Sequence, residues 1–456
     1  MNGQSGPGPL VVDSVEADAA VADTDTGVSA VAHAVPGTHA VPGTHADAGA
    51  DTDVDTGGPA MIGGRPGGRV LLCAPGTLGH LHPMIRLAIE LRAAGHEVRL
   101  ATSPAAGGHV RSAGLVHLPV GDDRLVGSSG YRSGVQTGSR QAPAELIPDW
   151  LTNLRRHTAR WRPDVVVRPW MEGASALLAA ELAVPQAVCE VGVRPRPELV
   201  ADHPVAAALA CHGWGLGGFY GDLWISCYPP SFARPGIETL PNEHHVRPLL
   251  YDAHPSHPVP DWVNRLPDEP VVYATLGTAW GRPPGMFERM VEAFAGEPYH
   301  AVIAIGPGRD PASVRPKSMP DNVRLIGYVP QLALVPRCAA IVCHGGFNTV
   351  MCALTYGVPI GFVPLGSDHG ANAARCVDMG VGTCYPRRLS TPFVHVPPDR
   401  FESRPLRQMV RRLLDGSDAR VGADRIRAEI AALPDACHAA VLVGNLVGGR
   451  PVADGR

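Results

Sequence analysis

Apolar positions fall into two series that share one pattern. The first opens with RVLLCAP (Arg69 to Pro75), a short continuous apolar run of the kind a strand buried on both faces shows. The loop GTLGHLHP follows. MIRLAIELRAAG (Met84 to Gly95) then places Leu87, Ala88, Ile89 and Leu91 where a helix packed on a sheet needs them, with Gly95 as its stop. HEVRLATS (His96 to Ser103) predicts the next strand, and PDVVVRP, ASALLAAELA and PQAVCEV (163 to 191) repeat strand, helix and strand. The second series starts at PVVYATLGT (Pro270 to Thr278) and the helix MFERMVEAFA (Met286 to Ala295). HAVIAIGP, NVRLIGYVP, AAIVCHGG and GVPIGFVP read as further strands, and an Ala-rich helical pattern runs from about Ala419 to Leu446. The fold class predicted is α/β, with two Rossmann-like doubly wound parallel sheets facing a cleft.

Residues 1–66 break this pattern. They contain no aromatic residue and repeat HAVPGT in tandem from His33 and His39. Such a stretch buries too little apolar surface to offset its ordering entropy, so a disordered tail is expected. The division expected is a tail at 1–66, a first domain at 67–252, a Pro-rich linker at 253–270 and a second domain at 271–448.

Composition narrows the function classes. The net charge is only -4 and no basic stripe is present, which argues against a nucleic-acid partner. No apolar run approaches the roughly 20 residues of a membrane helix, and no secretory signal is visible. A cytoplasmic protein without a membrane partner is expected. The ten cysteines form no CxxC pair, so neither a zinc ribbon nor a redox motif is indicated.

Candidate chemistry lies in two loops. In the second series, AAIVC ends in His344-Gly345-Gly346-Phe347-Asn348-Thr349. A strand, a glycine turn and a helix start form an anion site, because unpaired N–H groups and the helix dipole favour phosphate. Alone, such a turn equally suits a purely structural role. In the first series, GTLGHLHP offers His80 and His82, and histidine suits a general base near neutral pH.

The order of further motifs adds to this. GYVPQ (Gly327 to Gln331), HGG-x-x-T, GVP and D-x-x-x-NA within PLGSDHGANA follow one another. CYPPSF, HVRPLLYD and PDW occur earlier. Together they resemble the UDP/TDP-glycosyltransferase superfamily of GT-B fold, and its bacterial branch that decorates antibiotics and other natural products. The resemblance spans roughly residues 68 to 448.

That resemblance implies an inverting, metal-independent transfer of a sugar from a nucleoside-diphosphate sugar to a hydroxyl of a natural-product aglycone. It needs no cofactor beyond the donor. It implies Tyr328 stacked on the base, with Val329 and Gln331 holding base and ribose. His344, Gly345, Gly346, Asn348, Thr349 and Thr278 would hold the diphosphate, and Asp368 and His369 would face the sugar. His369 departs from the usual Asp-Gln pair. Relatives specific for UDP-sugars often carry a Glu where Cys352 stands. A thiol is a poor partner for a diol, so a TDP-linked deoxysugar is favoured. His80 matches the family's base, while His82 reads as a surface residue at a helix start.

In the family an acid usually orients the base; Pro169 stands at that position here, and either Glu172, the nearest carboxylate, takes the role or no acid partner exists, which would suit an easily deprotonated acceptor such as a phenol. Trp150, Trp170, Trp214, Phe219, Tyr220 and Trp224 are candidates for lining an aglycone pocket, with core packing as the equal alternative. Rival functions are a nicotinamide-dependent oxidoreductase, disfavoured because GxGxxG is lacking, a hydrolysing NDP-sugar epimerase and a non-catalytic partner subunit. A homodimer is left open.

Overall fold

The computed structural model describes residues 67–121, 142–192, 216–253, 257–278, 285–366, 368–385 and 400–447, with positions 194, 206, 209, 210 and 396. The expected tail and Trp214 lie outside the described residues.

The first lobe is a seven-stranded sheet of β1 (Arg69–Cys73), β2 (Glu97–Thr102), β3 (Val116–Pro119), β4 (Val165–Pro169), β5 (Gln186–Glu190), β6 (Leu223–Ser226) and β7 (Glu243–His245). Its spatial order is β3-β2-β1-β4-β5-β6-β7. The second has six strands, β8 (Val271–Thr275), β9 (His300–Ala304), β10 (Val323–Ile326), β11 (Ala340–Cys343), β12 (Ile360–Phe362) and β13 (Gly382–Cys384), in the order β10-β9-β8-β11-β12-β13. Every pairing is parallel. The central strands are buried along their length, as their unbroken apolar runs require. In each sheet the chain reverses direction beside the first strand, between β1 and β4 and between β8 and β11. Ligand crevices open at such switch points.

The helices of the first lobe are α1 (Leu78–Ala93), α2 (Gly107–Ser112), α3 (Ala142–Thr158), α4 (Ala174–Leu182) and α5 (Leu216–Tyr220). Those of the second are α6 (Met286–Phe294), α7 (Gln331–Leu334), α8 (Phe347–Thr355), α9 (His369–Asp378), α10 (Ser403–Asp415) and α11 (Ser417–Ala432), followed by α12 (Ala436–Val447). In α10, Leu406, Met409, Val410 and Leu413 fall at helical spacing and are all buried.

Three features depart from the sequence pattern. Helix α1 starts at Leu78, before the expected Met84, and places His80 and His82 inside it. The C-terminal helical run breaks between α11 and α12 at Leu433-Pro434-Asp435, where proline has no N–H to continue the ladder. Finally, α12 leaves the second lobe and packs on α1. Ala439, Ala440 and Val443 are buried there, and a Cβ on Gly444 would lie 3.0 Å from His96 Nε2. No single described helix is long and apolar enough to cross a membrane, although α11 and α12 together pass that test across a 43° bend.

The lobes also touch through polar links. Ser231 N donates to Glu429 Oε1 (2.9 Å), Arg247 N to Pro434 O (2.8 Å) and Leu332 N to Asp252 Oδ2 (2.8 Å).

Candidate active site

The second-lobe turn follows β11. Gly345 has φ +95°, and a Cβ there would lie 2.8 Å from His369 O, so glycine is required. Gly277 crosses the His344 ring so closely that a Cβ would meet Nε2 at 2.5 Å. A Cβ on Gly346 would meet the same Nε2, so two glycines let the backbone close on this ring. The ring meets that of His369 edge-on, with centroids 4.5 Å apart. Burial drives the His344 pKa well below the usual range; His369 adds to this, while Asp368 and a Thr275 backbone contact oppose it. The ring is thus neutral near pH 7. Its Nδ1 is buried with no hydrogen-bond partner among the described residues.

Helix α8 starts directly behind this turn. Its N-cap is Gly346, no side chain caps it, and its first turn holds no acidic residue. The amide ends and the positive dipole end are therefore left for a ligand. Asn348 and Thr349 line the cleft beside it, as do Thr278, His344 and Gly346. The cleft holds about 730 Å³ of empty space, its solvent mouth included.

The first lobe supplies the facing wall. Leu78, Gly79 and His82 of α1 line the cleft, with Leu250, Tyr251 and Asp252 from the chain after β7. His80 sits in the first turn of α1, and its Nδ1 is buried without a hydrogen-bond partner among the described residues. Burial lowers its pKa and the charge of Asp368 raises it. A neutral imidazole is the form a proton acceptor needs.

Asp368 reaches across from the start of α9. Its Oδ2 accepts from Asn372 Nδ2 (2.9 Å), and the same Nδ2 donates to Gly345 O (2.9 Å). A Cβ on Gly192, just beyond β5, would lie 3.3 Å from that Oδ2. The D-x-x-x-N spacing thus ties the acid to the glycine turn while its charge acts on the other lobe's histidine.

At the far end, Tyr328 and Gln331 line the cleft together with Cys352. Burial pushes up the Tyr328 phenol pKa, and its ring packs against His257 at 4.7 Å. Val329 is different: its side chain is fully buried in the core, so only its backbone is offered to a ligand.

Other expectations are corrected. Glu172 is buried, and its carboxylate accepts from Ala174 N (2.8 Å), Ser175 N (3.2 Å) and the Ser175 hydroxyl. It caps α4; its hydrogen bonds go to the helix start rather than to His80. Trp224 has no exposed surface and donates Nε1 to Glu190 Oε2 (2.6 Å), and Trp150 is 4% exposed in the same core cluster. Both pack the sheet instead of lining a pocket. Trp170 is half-buried beside Phe219.

His369 is 4% exposed, its Nδ1 accepts from Leu365 N and its ring meets that of His344 edge-on. His82, expected at the surface, is buried between His109 and Tyr251. Asp252 and Tyr251 were not singled out from the sequence as site residues. HVRPLLYD carried the signal, but only the folded chain brings it to the cleft.

Comparison with known proteins gives the family of the chain. Residues 89–277 match the N-terminal domain model of the erythromycin biosynthesis protein CIII-like family, and residues 299–445 match its C-terminal domain model. The chain is 28% identical over 443 residues to the 3-alpha-mycarosylerythronolide B desosaminyl transferase of Saccharopolyspora erythraea, covering 84% of this chain and 99% of that one. It is 32% identical over 336 residues to the L-demethylnoviosyl transferase of Streptomyces niveus, covering 70% and 85% respectively. The glycosyltransferase VinC, solved in complex with DTDP, superposes with a TM-score of 0.66 at 25% identity, over 84% of this chain and 100% of that one. The chain therefore belongs to the erythromycin biosynthesis protein CIII-like family, the GT-B glycosyltransferases of bacterial natural-product biosynthesis.

Proposed function

We propose that this glycosyltransferase moves a deoxysugar from a TDP-linked donor to a hydroxyl of a natural-product aglycone, with inversion at the anomeric carbon. The observation that carries the reading is the uncapped start of α8 behind the His344 turn, set in one cleft with the α1 wall. The diphosphate lies on the α8 amides, with Asn348, Thr349 and Thr278 adding side-chain donors. Tyr328 stacks on the base, which is worth about 1–3 kcal/mol. A TDP-bound relative of the same fold supports the choice of nucleotide.

In the reaction the acceptor oxygen forms a bond to the anomeric carbon as the bond to the diphosphate breaks. His80 takes the acceptor proton. Asp368 favours the imidazolium that results, because its charge raises the His80 pKa. The helix dipole and the His344 ring take up charge on the departing diphosphate.

The reading takes the leaving group to be stabilised by the protein alone, through the open start of α8 and His344. The acceptor sits against first-lobe loops near Trp170. The test is incubation with TDP- and UDP-sugars, with and without aromatic and macrolide aglycones, read by mass spectrometry. Glycoside formed only when both partners are present, from TDP-sugars first and undiminished by EDTA, is expected. A free sugar isomer from donor alone would instead make the protein an epimerase. Transfer abolished by EDTA and restored by a divalent ion would overturn the metal-free part.

A further inference from the structure

The cleft has a feature that neither the phosphate turn nor the base histidine uses. Among its described lining residues Asp252 is the one carboxylate. It comes from the chain after β7, yet it docks on the other lobe, where its Oδ2 accepts from Leu332 N at the start of α7 (2.8 Å). An acid in the wall of a cleft that takes a diphosphate is repelled by the phosphates unless it stands away from them.

Its position is fixed along α8. Asn348 and Thr349 stand in the first turn of that helix, and Cys352 comes about one turn later on the same side of the cleft. The Cys352 thiol is pushed well up, first by burial and next by the charge of Asp252. Asp252 and Cys352 line the same cleft, and Cys352 is the α8 position one turn beyond the phosphate site. In a nucleoside diphosphate the group one step beyond the phosphates is the pentose. Cys352 offers it only a weak donor and acceptor. The Asp252 carboxylate already accepts from the backbone of Leu332 and Gln331 at the start of α7, and a carboxylate keeps lone pairs for one donor more, which a pentose hydroxyl supplies.

We propose that Asp252 accepts a hydrogen bond from the 3′-hydroxyl of the donor's pentose and so acts as a nucleoside-recognising residue contributed by the first lobe. This rests on the nucleotide reading given above. It follows that donor binding draws on both lobes. One end of the nucleotide sits on α8, while its pentose is held by a residue whose chain leads back to β7. The 3′-hydroxyl is shared by TDP and UDP, so the contact serves either nucleotide.

The test is calorimetry on the full chain with TDP, 3′-deoxy-TDP and N3-methyl-TDP, for the natural protein and Asp252→Asn. Asn keeps an oxygen for the Leu332 amide, so the α7 docking is retained. The preference for TDP over 3′-deoxy-TDP is expected to be about tenfold or more in the natural protein, the usual value of a hydrogen bond to a charged group. It should shrink to within about twofold in Asp252→Asn. Because each protein is compared with itself, a partly inactive preparation does not distort the ratio. An undiminished ratio in Asp252→Asn would show that Asp252 only anchors α7. A loss of discrimination against N3-methyl-TDP instead would place the carboxylate on the base imide and overturn the pentose assignment. Failure of the natural protein to bind TDP at all would overturn the nucleotide reading and this inference together, an outcome distinct from the other two.

Discussion

Helices α4 and α8 occupy equivalent places in the two lobes. Each follows the strand on the far side of the switch point, β4 in one sheet and β11 in the other. Their N-termini are treated in opposite ways. At α4 the Glu172 carboxylate bends back onto the amides of Ala174 and Ser175. That helix end is closed from within, and its dipole is already answered by a negative charge. At α8 the cap is Gly346, which has no side chain to offer. The amides and the dipole stay available, and His344 and Asn348 stand beside them. A doubly wound sheet makes two such helix starts with one geometry. Which of them is left open to an anion is set by whether a nearby carboxylate, as Glu172 two and three residues before the amides it meets, has filled it first.

His80→Ala should have the largest effect, because it removes chemistry from the first-lobe side while leaving the α8 anion site whole. Turnover should fall by about 10²–10⁴-fold, with TDP affinity near that of the natural protein. Steady-state kinetics beside calorimetry would check it; unchanged turnover would mean that the base lies elsewhere.

His344→Ala should act on the open helix start itself. A neutral ring donating to phosphate is a charge-assisted contact worth about 1.5–3 kcal/mol, so TDP binding should weaken about 10- to 100-fold. If both TDP affinity and turnover are unmoved, α8 is not the diphosphate site.

The buried histidines also make the α8 side sensitive to acid. Burial lowers the His369 pKa to about 3. A group whose folded pKa is depressed contributes stability above its unfolded pKa and loses it as pH falls below that value. Here the window opens near pH 6.5 and closes near the folded pKa. Between pH 7 and pH 5 the loss from His369 should be about 2 kcal/mol. His369→Gln should flatten this part of the profile in urea titrations. A slope equal to that of the natural protein would show that His369 is protonated in the fold.

Glu172→Gln should have the smallest effect and separates the two helix starts most directly. As a cap, the side chain is worth about 0.5–2 kcal/mol, a loss to be read as a lower urea midpoint. Turnover should stay within about threefold of the natural value, since a cap does not touch the reaction. A fall in turnover of a hundredfold with no change in stability would reinstate Glu172 as the partner of His80.

Legibility in the sequence followed the range of the forces involved. The central strands announce themselves because parallel strands covered on both faces need unbroken apolar runs such as VVVRP and VVYAT. Strands β7 and β13, EHH and GTC, carry no such run and are set by the neighbour they pair with. The glycine turn was readable because Gly345 answers a local demand, a positive φ beside a carbonyl. The tryptophans were not, because an aromatic side chain suits a core as well as a pocket, and burial depends on what folds over it.

The sequence alone determined two parallel sheets, the glycine turn at His344 and the histidine-bearing segment GTLGHLHP after the first strand, since each rests on neighbours a few residues apart. Only the tertiary structure decided what those groups face. It set Asp368 of one lobe to act on His80 of the other, brought Asp252 to α7 across 80 residues of chain, and committed Glu172 to its own helix. Charge and hydrogen bonding act through space, and the distances they act over exist only once both sheets and the returning α12 have packed.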